Sequence, residues 1–402
     1  MSDIDGVSDP AGAAEPETEP EGGRHATNLE LFLDLVFVFA VTQIAGFLAA
    51  DLSLAGFARG LLLAWLVWWL WSQFTWLGTA INLGGRSAAQ LLVLLAVPPT
   101  LLMAVALPEA YGSSGVEFGG AYLVVNLWAL AIQGRGLWGE AATRSSWLRY
   151  APLAALAPCV LFAGSFLDEG PRTAVWCAVA VFTVASALLG SRRGEWRIDP
   201  VHFAERHALF VIISLGEVLV AVGTATAGVP LTTEVGAALL AAVAVACVFW
   251  WAYFAFVPVV VERTLRSARP LDRARVARDL FTFGHFPIIF GVVLYAVTAK
   301  HVVAHPVAAL GEGDLAALAT SVAFFLGGLL GLQWQVVRRL APERLVVIAG
   351  VAVLCATVGP EISGTVMVAG VALVLGVMQV ITLRRFDRSA VGSPAVADDE
   401  GS

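Results

Sequence analysis

Apolar runs of about 18 to 25 residues recur from one end of this chain to the other, each long enough as a helix to cross a hydrocarbon layer of about 30 Å. In lipid every backbone polar group must be satisfied within its own segment, so the pattern predicts an all-α, multi-pass transmembrane bundle. About twelve spans are expected, roughly 29 to 50, 57 to 80, 88 to 107, 117 to 138, 149 to 167, 172 to 190, 202 to 224, 234 to 257, 280 to 303, 314 to 336, 344 to 359 and 362 to 383. With 58% apolar and 14% charged residues among 402, an ordinary soluble domain is excluded.

Charge is distributed unevenly. Residues 1 to 28 carry seven acids against Arg24, and residues 389 to 402 carry three acids with no base. Both ends, 1 to 28 and 386 to 402, are expected to be acidic, disordered tails. The embedded body is slightly basic. With the N-terminus in the cytoplasm, 21 of the 24 basic residues fall in cytoplasmic segments, and only Arg59, Arg172 and Lys300 fall outside. That asymmetry predicts both termini inside. Residues 1 to 26 lack the layout of a cleaved signal, so the first span itself is expected to direct insertion.

An internal repeat is suggested by matched punctuation. Ala151-Pro152 to Arg192-Arg193 spans 41 residues and Ala341-Pro342 to Arg384-Arg385 spans 43. Trp65, Trp68, Trp69 and Trp71 of the second span correspond to Phe249, Trp250, Trp251 and Tyr253 of the eighth. Leu91 stands seven residues before Pro98, as Leu280 does before Pro287. The expected architecture is therefore two six-span halves, 29 to 190 and 202 to 385, in parallel orientation, with the first span matching the seventh.

Candidate chemistry lies where charge enters an apolar helix. Glu30 and Asp34 are i,i+4 neighbours on the first span, and two such carboxylates repel or share a proton or cation. The bland reading of Glu30 is an acid at a helix N-terminus. On the seventh span, His202, Glu205, Arg206 and His207 form a polar cluster at one end, and Glu217 sits deep within. Arg206 and Glu217 are eleven positions apart, close to three turns, and so share a face. An unpaired charge there costs at least about 2 to 3 kcal/mol, which makes an intramembrane acid a candidate for ion, proton or ligand binding, or else a hydrogen-bonded structural group.

Other features are weaker. His285 precedes Pro287 and could titrate beside a kink or sit satisfied in the core. The four cysteines lie within spans without CxxC spacing and read as small buried hydrophobes. The tryptophans of the second span read as an interfacial belt or packing, with a ligand surface as the alternative. His301 and His305 have i,i+4 spacing, but without further ligands nearby no metal is expected. No phosphate loop, dinucleotide fingerprint, nucleophile elbow or nucleic-acid module is present, so neither a cofactor nor enzyme activity is expected.

The blocks Glu30-Leu31-Phe32-Leu33-Asp34-Leu35-Val36-Phe37-Val38-Phe39-Ala40-Val41 and His202-Phe203-Ala204-Glu205-Arg206-His207 through Ser214-Leu215-Gly216-Glu217 resemble the two signature blocks of the bacterial low temperature requirement A family. The resemblance covers about residues 25 to 385, with Leu33 departing from the aromatic common there. It implies a multi-pass protein of the bacterial inner membrane connected with growth in the cold, and it names no reaction. The expected function is a proton- or cation-coupled transporter of a small substrate. The polar cavity would lie between the halves, with Asp34 and Glu217 binding the ion, Arg206 pairing with one of them or holding an anionic substrate, and His207 tuning their protonation. The alternatives are a non-transporting sensor or scaffold and a membrane-embedded enzyme. The expected partners are the bilayer, a proton or monovalent cation and a small molecule, with no nucleic acid.

Overall fold

The computed structural model describes residues 25–80, 87–139, 141–190 and 198–391. The chain forms α1 (Asn28–Ala50), α2 (Leu54–Ala80), α3 (Ser87–Leu94), α4 (Val97–Ala106), α5 (Gly115–Leu137), α6 (Ala141–Gly164) and α7 (Glu169–Gly190). It continues through α8 (Pro200–Thr226), α9 (Thr233–Phe254), α10 (Val257–Ser267), α11 (Pro270–Ala277), α12 (Gly284–Ala304), α13 (Glu312–Val337), α14 (Pro342–Thr357) and α15 (Gly364–Val391). Among the described residues there is no strand, only an isolated bridge between Ala309 and Ser363.

Among the described residues, eleven stretches are long and apolar enough to cross a membrane. The expected span at 344 to 359 is α14, whose 16 residues reach only about 24 Å. Its setting compensates. The segment after it returns to the loop beyond α12, with the Gly364 amide donating to Ala308 O at 2.8 Å and the Thr365 hydroxyl to Pro306 O at 2.6 Å. Because α13 has carried the chain away from that loop, α14 and its 3-10 turn at Gly359–Glu361 bring it back across the bundle.

Prolines set the breaks. Pro98 and Pro99 start a new helix, so the third stretch divides into α3 and α4. Pro287 offers no amide to the Phe283 carbonyl, and the turn before it widens into a π-helix over Arg278–Phe283. That segment joins α11 to α12.

The core centres on α12, which is apolar all round and buried along nearly its whole length. Small residues let α13 approach: a Cβ on Gly291 would meet the Phe325 amide at 2.6 Å and Ser321 O at 2.7 Å. Side chains such as Leu35, Val181, Leu240 and Leu373 point outward, as expected of a surface bathed in lipid tails. Cys159, Cys177 and Cys247 are exposed there too, contrary to the expectation of burial; only Cys355 is buried.

Helices pack largely on near neighbours in the chain. In the first part of the chain α1 packs on α2 and α4, α4 on α5, α5 on α6, α6 on α7, and α2 on α7. In the second part α8 packs on α9 and α12, α12 on α13, α13 on α14, α14 on α15, and α9 on α15. At the end of the bundle where α2 and α7 begin, Arg59 pairs with Glu169 at 2.6 Å and Arg172 donates to Ala110 O at 2.9 Å and Gly112 O at 3.1 Å.

The acidic stretches 1–24 and 392–402 lie outside the described residues, as do Arg86, Arg192 and Arg193. The expected tails, 1 to 28 and 386 to 402, overlap the described residues at 25–28 and 386–391. His25 and Ala26 are held on Glu205 of α8, and α15 continues through 386–391.

Candidate functional site

Two helix N-termini build the site. Thr27 caps α1: its hydroxyl accepts from the Glu30 amide at 3.3 Å while Glu30 Oε2 accepts from the Thr27 amide at 2.9 Å, a capping box. Asp199 caps α8 by accepting from the amides of Val201 and His202, with Pro200 in the first turn. The helix-terminal reading of Glu30 thus holds for one of its oxygens. The other reaches across to α8.

Glu30 Oε1 lies 2.9 Å from His202 Nε2 and 3.2 Å from Arg206 Nη1. One turn further in, Arg206 Nη2 donates to Asp34 Oδ1 at 2.6 Å, and the Trp71 indole donates to the same oxygen at 2.9 Å. Glu30 and Asp34 on α1, and His202 and Arg206 on α8, are both i,i+4 pairs, so the two helices meet rung to rung. All four are closed off, with Asp34 at 0% and Arg206 at 1% exposure. Such burial of charge is tolerated only in mutual contact. The Arg206 guanidinium also lies 5.8 Å from the Trp71 ring centre, where the aromatic face favours a cation. From α2, Gly78 presses backbone against the cluster; a Cβ there would collide with Glu30 Oε1 and His202 Cε1. Asp34 Oδ2, Arg206 Nε and His202 Nδ1 are buried without a hydrogen-bond partner among the described residues.

The remaining candidates fall elsewhere. Glu205 does not enter the cluster: its Oε2 receives the Ala26 amide at 2.8 Å and lies 3.2 Å from His25 Nδ1, strapping the start of the chain to α8. His207 turns away from both carboxylates. It is fully buried, donates from Nδ1 to Phe203 O at 2.8 Å, and is boxed by Trp71, Phe281 and His285 with ring centres about 5 Å away. Its partner ring, His285, donates from Nδ1 to Leu280 O at 2.9 Å and accepts from the Tyr253 hydroxyl at 2.8 Å. The Leu280 carbonyl belongs to the π segment.

Glu217 is buried and accepts a short hydrogen bond from the Thr42 hydroxyl of α1. It shares the α1-facing side with Arg206, as the spacing predicts, yet lies about 16 Å further along α8. Between them Val41, Ile44, Val67, Trp68, Phe210 and Phe286 line a void of about 20 Å³. The lining of this void is apolar, so it is not the expected polar cavity. His301 pairs with Asp314 at 2.5 Å.

Several functional groups escaped the sequence reading. Trp71 is one, and its signal was available: an indole N–H inside a span needs an acceptor. Trp68 and Trp71 are buried, so the interfacial belt does not describe them. Trp68 donates to Thr282 O at 2.7 Å and Trp76 to Thr282 Oγ1 at 3.3 Å, clamping α2 on the π segment. Thr42 and Tyr253 carry no signal beyond residue type, whereas Thr27, three residues before Glu30 and an apolar run, fits the capping-box pattern.

Residues 25–380 match the bacterial low temperature requirement A protein family. The chain is 30% identical over 380 residues to an uncharacterized protein of Rhizobium meliloti (strain 1021), covering 90% of each. No solved structure matches it.

Proposed function

The chain belongs to the bacterial low temperature requirement A family, and from that premise we propose that it is a proton- or monovalent-cation-coupled transporter of a small substrate in the bacterial inner membrane, with both termini cytoplasmic. One observation carries the reading. Two buried carboxylates, Glu30 and Asp34, share a single permanent cation, Arg206. One further positive charge is needed for balance, and it is supplied by a proton on His202 or a carboxyl, or by a bound cation. A proton arriving at Asp34 weakens its hold on Arg206 and lets the guanidinium favour Glu30, so the cluster has two arrangements that an ion can select.

The order of helix packing supports the reading as well. Pairing α1 with α8, α2 with α9, α3–α4 with α11–α12, and α5, α6 and α7 with α13, α14 and α15 matches the packing of α1 on α2 and α4, α4 on α5, α5 on α6, α6 on α7 and α2 on α7 with pairs in the second part of the chain, while the packing of α2 on α5 and of α9 on α12 has no such match. This is the relation expected of a parallel six-plus-six repeat, and α1 and α8, the matching first helices, hold the cluster between them.

The test is charge movement on a solid-supported membrane after a jump in pH or in one monovalent cation. The transporter reading expects a transient current in the native protein that Asp34→Asn abolishes while helix content is retained. Absence of current for every jump contradicts it. The small, apolar lining of the void of about 20 Å³ favours a second reading, a non-transporting sensor or scaffold whose charges brace the helices. In that case Asp34→Asn lowers protein abundance and changes no current.

A further inference from the structure

We propose that a cleft between the basic α10–α11 segment and the end of α13 binds a phosphate-bearing anion. The cleft is distinct from the buried cluster. It has a volume of about 410 Å³ and is lined by Arg275, Asp279, Phe283, Trp334, Gln335 and Arg338, among others. That volume falls within the range of about 300 to 1,000 Å³ typical of small-molecule sites.

Charge on the lining is positive and only partly engaged. The one carboxylate, Asp279, is held by Arg278 Nε at 2.7 Å, and Arg278 also donates to Ala187 O at 3.0 Å, so this acid is already neutralised. Arg275 pairs with Asp272 at 3.2 Å, but both side chains are half exposed, and such a surface pair competes weakly with a doubly charged anion. Arg338 has no carboxylate partner among the described residues. Its guanidinium lies 6.0 Å from the Trp334 ring centre instead, which orients it without neutralising it.

Backbone geometry adds a second, independent observation. Arg338 is the only non-glycine residue among those described with a left-handed backbone, at φ 54. It caps α13 through its amide to Trp334 O at 3.1 Å. Helix ends of this kind ordinarily take glycine, because a Cβ is strained there. Strain of this sort collects at ligand clamps. The opposite wall is the π segment, a second departure from regular helix of the kind found at functional sites. Phe283 and the half-exposed Trp334 supply apolar surface beside the arginines, so the cleft suits a phosphate carried on an amphiphile. Arginine forks match phosphate oxygens in pairs.

Two sources offer that chemistry, an anionic lipid headgroup and a free phosphate compound. The experiment is calorimetric titration of the full chain in uncharged detergent, with dihexanoyl phosphatidic acid, dihexanoyl phosphatidylcholine and inorganic phosphate as probes. Saturable binding of the phosphatidic acid is expected, with none of the phosphatidylcholine. Arg275→Gln together with Arg338→Gln should weaken it by about tenfold or more, as loss of charge-assisted hydrogen bonds implies. Arg266→Gln with Arg269→Gln, on the same basic face but outside the cleft, should leave it within about twofold. Phosphatidic acid binding more tightly than inorganic phosphate assigns a lipid, and equal binding assigns a free phosphate compound. The proposal is overturned if neither anion saturates, or if both double variants lose affinity alike, which is the signature of a diffuse basic surface.

Discussion

The same two helices, α1 and α8, bury acids at two depths and satisfy them in different ways. At the first, Asp34 and Glu30 face Arg206 and His202, a cluster of opposite charges. At the second, Glu217 faces the Thr42 hydroxyl. A guanidinium cannot give up its charge, so the first site stays ionic and a change at one member strands another. A hydroxyl donates to a carboxylate or to the carbonyl oxygen of a carboxyl or amide equally, so the second site tolerates neutralisation. The difference separates a coupled, two-arrangement element from a single hydrogen bond.

The largest effect is expected at the permanent cation. Arg206→Met leaves two carboxylates facing each other without compensation, and breaking a buried pair costs about 3 to 5 kcal/mol. Thermal unfolding in detergent should show it, and Arg206→Lys should restore part of the loss. If Arg206→Met unfolds like the native protein, the cluster is not ionic.

Next comes Asp34→Asn, which keeps the shape and an acceptor for Trp71 but leaves Arg206 to Glu30 alone. A loss of about 2 kcal/mol is expected, the size of a charged hydrogen bond. Combined with Arg206→Met, the losses should fall short of their sum by about 1 to 3 kcal/mol, the coupling expected of residues in one network. Additive losses would mean the two do not act together.

Trp71→Phe removes one donor from Asp34 and keeps most of the ring, for an expected cost of about 1 to 2 kcal/mol. Smallest should be Glu217→Gln, within about 1 kcal/mol of the native stability, because an amide oxygen still accepts from Thr42. A loss at Glu217 as large as that at Arg206 would erase the contrast between the two depths.

Much of this was written in the sequence, for reasons that also mark where legibility ended. The i,i+4 spacing of Glu30 and Asp34, and the eleven-residue spacing of Arg206 and Glu217, placed each set on one face of its helix, and the structure turns both faces toward each other. Periodicity fixes the angle of a residue around its own axis. It leaves open how far a neighbouring helix slides along that axis. Hence Arg206 meets Asp34, while Glu217, expected to bind an ion together with Asp34, meets Thr42 far along α8. His207 adjoins Arg206 in sequence, but about 100° of helix rotation carries it into the ring box with His285. The proline at 287 announced a kink, whereas the widened turn before it and the carbonyls there that accept from Trp68 and His285 depend on packing against α2.

The central claim is that Asp34 and Glu30 form a site that a proton or cation can enter. Carbodiimide modification of the protein in lipid, read by peptide mass spectrometry across a pH series, tests it without knowledge of the substrate. Modification of Asp34 or Glu30 that rises as pH falls and is slowed by one monovalent cation is the predicted result. If both carboxylates remain unmodified at every pH while the protein stays folded, the cluster is a sealed brace and the coupling role is wrong.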